Sequence, residues 1–204
     1  MKVLDLFSGL GGFSQAFRER GHDVTGLDID RSLKPDIQAD VRYLPIRDDA
    51  RFDVILASPP CEEFSKDFMP WHEGDVEKGL ELVYVTRDII QQFKPRFWVV
   101  ENVIGAVRYF RRIFGNYRQR CGSRYLWGNF PRFRCRHELC QGDKYRISPA
   151  ENRSAFRAKI PYEITLNLCI AIENALRAEK LGLIPFAQAI EEEWEEYELE
   201  EADA

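Results

Sequence analysis

The first hundred residues alternate between strand-like and helix-like apolar patterns, and this alternation restricts the fold more than any other feature. Lys2–Phe7 reads as a strand that runs into a glycine loop, Ser8-Gly-Leu-Gly-Gly12. Phe13–Arg20 has helical spacing, with Phe13, Ala16 and Phe17 on one face and Gly21 to end it. His22–Ile29 is a second strand, a short third is expected to end near Asp40, and Phe52–Ala57 is a fourth. Val76–Phe93 carries the broad apolar face of a long amphipathic helix, closed by Pro95. Phe97–Val100 is apolar on both faces, as in a strand buried within a parallel sheet. Such alternation predicts an α/β, Rossmann-like doubly wound, mostly parallel sheet with helices on both faces.

After Val103 the pattern weakens. A short helix and then strands or loops around Arg124–Trp127 and Phe133 are expected, followed by helices over Tyr162–Ala178 and Pro185–Leu199. Residues 1–186 are read as one domain and 187–204 as an acidic helical tail. The 204 residues suffice for one substantial core. No run of 18 apolar residues occurs, so a transmembrane helix is not expected, and the first residues lack the features of a signal peptide. The five cysteines are therefore read as reduced, in a cytoplasmic protein. A net charge of −5 argues against a general nucleic-acid coat protein. The charge is uneven: Glu191–Asp203 is almost wholly acidic, while Arg108–Arg136 interleaves arginines with Tyr, Phe and Trp.

The fourth strand stops at two prolines. In Ser58-Pro-Pro-Cys61-Glu-Glu-Phe-Ser65 they cannot continue a sheet, so the chain turns and Cys61 is set on a stiff loop at the sheet's carboxyl edge. Ligands of open α/β sheets bind at that edge. A cysteine there is either a nucleophile, if its thiolate is accessible, or a small buried residue at a turn.

The glycine loop lets a ligand approach the backbone at a helix start, but it is not the Gly-x-Gly-x-x-Gly pyrophosphate pattern. Asp5, just before it, would repel a phosphate and suits a ligand with an amino group or positive charge. Asp28, at the end of the second strand, is placed to accept from ribose hydroxyls, and Asp40 could meet an adenine amino group. Adenosine joined to a cationic amino acid describes S-adenosyl-L-methionine. Solvated aspartates around an ordinary turn are the plainer alternative.

Three segments together resemble the C5-cytosine methyltransferases. Asp5-Leu-Phe-Ser-Gly-Leu-Gly-Gly12 is similar to their cofactor loop, Ser58-Pro-Pro-Cys61 with Phe64-Ser65 to their nucleophile motif, and Glu101-Asn-Val103 to their glutamate motif, in the family's order. Lys159-Ile-Pro-Tyr-Glu163 and the helix after it resemble the last motif, without its usual Gly-Asn-Ser lead. The resemblance implies a class I methyltransferase fold, S-adenosyl-L-methionine as cofactor, Cys61 as nucleophile and Glu101 as the group that contacts the cytosine. It further implies a cofactor set of Asp5, Phe7, Ser8, Gly9, Gly11, Gly12, Asp28, Ile29, Asp40 and Pro59. The implied substrate set is Ser58, Pro60, Asn102, Arg120 and Arg124.

The chain departs from the family after Val103. Little more than fifty residues separate the glutamate motif from Arg157, where the family carries a large target-recognition region. The family's Gln-x-Arg-x-Arg motif is absent as such, and Arg118-Gln-Arg120 and Arg124 are partial stand-ins or a solvated basic face. Extruding a base from a duplex costs a few kcal/mol and needs groups to fill the gap. So short a chain is therefore expected to act on an unpaired cytosine, in RNA such as ribosomal RNA ahead of DNA. Tyr109, Phe110, Tyr117, Tyr125, Trp127 and Phe130 among arginines fit the stacking of its bases, with some of these aromatics belonging to the core. A recognition partner or ribonucleoprotein is a further expectation. Ser-Pro-Pro also leaves N4 methylation open, and a non-catalytic partner subunit is a third reading. Cys121, Cys135, His137 and Cys140 have the types of a zinc site, but their spacing favours ordinary cysteines, so no metal is expected.

Overall fold

The computed structural model describes residues 1–65, 75–135 and 158–183. Five parallel strands, β1 (Lys2–Leu6), β2 (Asp23–Asp28), β3 (Ile37–Gln38), β4 (Val54–Ala57) and β5 (Phe97–Val103), join β6 (Gln119–Cys121) and β7 (Arg124–Asn129). The order is β3-β2-β1-β4-β5-β7-β6, with β7 antiparallel to both neighbours. The expected doubly wound sheet is thus present, and strand order reverses between β1 and β4. That reversal opens a crevice beyond their carboxyl ends, where the glycine loop and the Cys61 loop both emerge.

Alternation along each strand sorts side chains to two cores. Val3, Val54, Leu56, Phe97, Val99 and Leu126 face α1 (Gln15–Glu19) and α4 (Tyr162–Lys180). Leu4, Leu6, Ile55, Ala57, Val100 and Trp127 face α2 (Val76–Phe93) and α3 (Val107–Phe114). The α4 stripe Ile164, Leu168, Ile172, Ala175 has the spacing that turns one helical face inward, and all four are buried. Helix α2 starts at Asp75, whose carboxylate accepts from the Lys78 N–H at 3.1 Å, and ends at Lys94 in the left-handed conformation, just before Pro95. Among the described residues no helix is long and apolar enough to cross a membrane. The expected tail and the helix over Pro185–Leu199 lie outside the described residues.

Candidate functional site

The face towards α1 and α4 changes character at the carboxyl edge of the sheet. Two residues beyond Val3 stands Asp5, two beyond Val99 stands Glu101, and two before Leu126 on the antiparallel β7 stands Arg124. All three are buried, at 1%, 4% and 6% exposure, so the apolar face ends in charged groups. Arg124 Nη1 donates to Glu101 Oε1 at 2.8 Å, and Nη2 to the Lys159 carbonyl at 3.2 Å. In the β5–β7 register Glu101 faces Leu126 and Val103 faces Arg124, so the ion pair is a diagonal cross-strand contact on one face. Arg124 is therefore no solvated basic residue.

The Cys61 loop is fixed against β5 at two points. Asn102 Nδ2 donates to the Pro59 carbonyl at 3.0 Å, and Asn102 Oδ1 accepts from the Val103 N–H at 2.9 Å. Both halves of the Asn102 amide are thus occupied, which makes it a brace for the loop. Gly105 lies against the Phe64 carbonyl, where an added Cβ would stand 1.8 Å from that oxygen. Phe64 is buried against Phe110 at 5.4 Å between ring centroids, which anchors the turn Glu62–Phe64 in the core. The Ser65 hydroxyl donates to the Cys61 carbonyl at 2.8 Å. Cys61 is half-buried while Pro60 is exposed. Burial pushes the Cys61 thiol up, the Glu101 carboxylate adds to the rise, and the Arg124 guanidinium opposes it. The sulfur therefore stands within electrostatic reach of the ion pair.

The glycine loop shows why its glycines are needed. Gly9 and Gly11 take φ of 53° and 70°, and the preceding Phe7 is forced to φ 60°, a strained setting for an aromatic residue. The Ser8 N–H donates to the Leu27 carbonyl at 3.0 Å, and the Gly9 N–H to Asp28 Oδ2 at 2.8 Å. A Cβ at Gly12 would meet the Lys159 side chain at 2.6 Å and the Ile160 nitrogen at 3.0 Å. The Lys159–Ile160 segment thus crosses the loop and also caps Arg124.

Asp5 accepts from the Ser14 hydroxyl at 2.6 Å through Oδ2, while Oδ1 is buried with no hydrogen-bond partner. Burial raises its pKa from 3.8 to about 7, with the Ser14 bond opposing. Ser58 Oγ is a second buried, unpartnered polar atom, at the tip of the adjacent strand β4. Ile29, at the end of β2, is 64% exposed and offers an apolar surface to a flat ring.

Two expectations shift. Asp28 already accepts from the Gly9 and Asp30 N–H groups, so it shapes the loop as well as facing the crevice. Asp40 caps the turn Val41–Tyr43 and is held by Arg42, which keeps its carboxyl below the usual range. A cavity of about 460 Å³ opens on the α1 side of the loop. It shares Ser8, Gly9 and Gly11 with the expected cofactor set, but Asp28, Ile29, Asp40 and Pro59 do not line it. The strand tips and not this cavity carry the ligand reading, because the orphaned Asp5 and Ser58 atoms are there.

The expected aromatic stacking platform is not present. Phe110, Tyr125, Trp127 and Phe130 are buried, because β7 is apolar on both faces and α3 packs over it. Tyr117 alone of the six is among the large exposed apolar residues. Arg120 is exposed, bonds the Gly122 carbonyl at 2.9 Å and lies over the Tyr125 ring at 5.5 Å. Cys121 is buried in the core and Cys135 packs against it; His137 and Cys140 lie outside the described residues.

Sequence reading missed Ser14, Gly105 and the Lys159 carbonyl. Ser14 was signalled by its place at the helix start after two glycines; the other two act through backbone and left no side-chain signal. Elsewhere, His22, Cys169 and Glu173 bring donor atoms within 4.8 Å. Arg20 grips that carboxylate with bonds of 2.6 and 3.0 Å, and its guanidinium opposes a second cation there. The cluster reads as a brace between the α1–β2 turn and α4.

A sequence profile described as C-5 cytosine-specific DNA methylase matches residues 1–116. The chain belongs to this methylase family. The methyl donor of the family is S-adenosylmethionine. The type II methyltransferase M.AgeI of Thalassovita gelatinovora is 27% identical over 126 residues, covering 52% of this chain and 29% of that protein. M.AplI of Arthrospira platensis is 32% identical over 115 residues, covering 52% and 32%. The chain thus spans about a third of the length of these curated relatives. Among solved structures, the S. pombe Dnmt2 methyltransferase aligns over 74% of this chain and 57% of its own, at 19% identity and a TM-score of 0.44. The class I methyltransferase fold expected for a methylase of this family agrees with the strand order above.

Proposed function

We propose that this chain methylates C5 of cytosine in nucleic acid, through Cys61 and the Glu101–Arg124 pair. The observation that carries the reading is that buried ion pair, braced beside a half-buried cysteine by Asn102 and Gly105. Cytosine C5 is a poor nucleophile. Addition of the Cys61 thiolate at C6 makes C5 enamine-like, and a carboxyl group at N3 and the exocyclic amine disperses the developing charge. Arg124 holds Glu101 in place for that contact. A base then takes the C5 proton and the thiolate leaves.

The residues at the crevice suit S-adenosylmethionine. The unpartnered Asp5 oxygen favours a cationic group, the glycine loop admits close backbone approach, and exposed Ile29 suits an adenine face. When bound, the cofactor supplies an electrophilic methyl group. Asp5, Phe7, Ser8, Gly9, Gly11, Gly12, Asp28, Ile29 and Pro59 would hold it, with Asp40 shaping the edge.

The proposed polymer is DNA. The family description names DNA, and burial of the aromatic residues removes the main support for stacked RNA bases. Target choice is assigned to a recognition partner, as little more than fifty residues separate Val103 from Arg157. The test uses cytosine-containing DNA and RNA with the cofactor, followed by nucleoside mass spectrometry. It expects 5-methylcytosine in DNA, and a covalent adduct with 5-fluorocytosine DNA that Cys61→Ala abolishes. A methylated N4, or an active Cys61→Ala variant, overturns the mechanism.

A further inference from the structure

Residues 102–137 contain nine arginines and no aspartate or glutamate, in a chain whose net charge is −5. The structure divides these arginines. Arg124 is buried with Glu101, Arg118 donates to the Phe130 carbonyl at 2.5 Å, and Arg120 bonds the Gly122 carbonyl. Arg108, Arg111 and Arg112 stand apart on α3, exposed to solvent. Arg111 and Arg112 make no ion pair among the described residues, and Arg108 lies only over the Tyr109 ring at 4.7 Å.

Their positions form a stripe. Arg108 is followed on α3 by Arg111 and Arg112, at three and four residues, the spacing of one helical face. The stripe begins seven residues after Glu101 and runs for about 6 Å, taking about 1.5 Å per residue. That length matches about two nucleotides at the axial spacing of a DNA strand. Cations in a last helical turn complement the helix dipole, which accounts for Arg111 and Arg112. It does not account for Arg108, at the opposite end, nor for three like charges at i, i+3 and i+4, which repel one another.

We infer that this stripe is a rail for the phosphate backbone of the strand that carries the target cytosine. The inference rests on the nucleic-acid reading above and names the surface that reading lacks. Arginine suits the partner, since its planar guanidinium meets phosphate through two parallel bonds. The contacts carry no sequence information: they set the register of the strand on the protein and leave target choice to other groups.

The test measures fluorescence anisotropy of a labelled DNA duplex, and of its separated strand, against salt concentration. The variants are R111E/R112E, the charge-preserving R111K/R112K, and K2E on β1, which β4 separates from β5. Loss of two phosphate contacts lowers the slope of log K against log salt by about two for duplex, and by somewhat less for single strand. At about 0.1 M salt the dissociation constant of R111E/R112E should rise at least about tenfold. R111K/R112K should keep the wild-type slope and lose less affinity than R111E/R112E, and K2E should bind as the wild type does. An unchanged slope in R111E/R112E, or an equal loss in K2E, overturns the rail. Methyl transfer is assayed separately. Transfer by the wild type with unaltered binding by R111E/R112E sinks the rail and leaves the methylation reading standing. Lost binding in that variant with no transfer by the wild type does the reverse.

Discussion

Replacing Asp5 by Asn should stabilise the protein at neutral pH and weaken its cofactor binding. The Asp5 carboxyl is 1% exposed, with one oxygen unpartnered, and burial raises its pKa from 3.8 to about 7. A group whose folded pKa is raised contributes fully below its unfolded pKa, and that contribution is lost as pH rises through the folded value. For Asp5 the loss develops from about pH 4 and is complete above about pH 7. Each tenfold change in proton affinity is worth about 1.4 kcal/mol, so a rise of about three in pKa amounts to about 4 kcal/mol. Asn keeps the shape and can still accept from Ser14, but it carries no charge to desolvate. Urea denaturation of both proteins from about pH 4 to about pH 8 isolates the effect, because other titrations cancel in the difference. Asp5→Asn should gain on the wild type steadily across that range, by up to about 4 kcal/mol at its upper end. Affinity for S-adenosylhomocysteine should rise with pH in the wild type and be lower and flat in the variant. A stability difference that does not change with pH refutes the reasoning.

Arg124→Met should destabilise the fold by about 3–5 kcal/mol in the same assay, because it leaves the Glu101 carboxylate buried without its partner. Gly105→Ala should keep the fold, by circular dichroism, but lower kcat about a hundredfold, since its Cβ displaces the Phe64 carbonyl and with it the Cys61 loop. Cys61 should alkylate with a midpoint above that of an ordinary thiol. Glu101→Gln should speed iodoacetamide alkylation at about pH 8 while Arg124→Met slows it, as the two charges act on the sulfur with opposite signs. Movement of both variants in one direction would show that those charges do not reach it.

The layered sheet was legible because short continuous apolar runs and helical apolar patterns alternate cleanly up to Val103. Cys61 and Glu101 could be placed at one edge because both follow apolar runs that read as buried strands, although β5 itself continues through Glu101 to Val103. The part played by Arg124 was not legible. Arg118, Arg120 and Arg124 look alike in sequence, and only the register of β7 on β5 sets Arg124 diagonal to Glu101. A slip of one residue would turn it to the opposite face. The aromatic residues misled for a related reason: β7 is apolar on both faces, so Tyr125 and Trp127 enter the core although arginines flank them. Asp28 and Asp40 were read as free for a ligand, but short-range bonds to nearby N–H groups engage them first.

One face of the sheet thus serves two ends. Along β1, β5 and β7 it is apolar where α1 and α4 cover it, and at the carboxyl edge it turns to Asp5, Glu101 and Arg124 without leaving the interior. Stability alone does not call for this. Apolar residues in place of a buried ion pair are often neutral or stabilising, and an unpartnered carboxylate oxygen costs more still. The arrangement is intelligible if the missing partners arrive with the ligands: a positive group at Asp5 and a pyrimidine edge at Glu101. The Lys159–Ile160 crossing joins the two halves, because one segment presses on Gly12 of the cofactor loop and accepts from Arg124 of the base-contacting pair. A shift of that segment on filling one half would therefore be felt in the other.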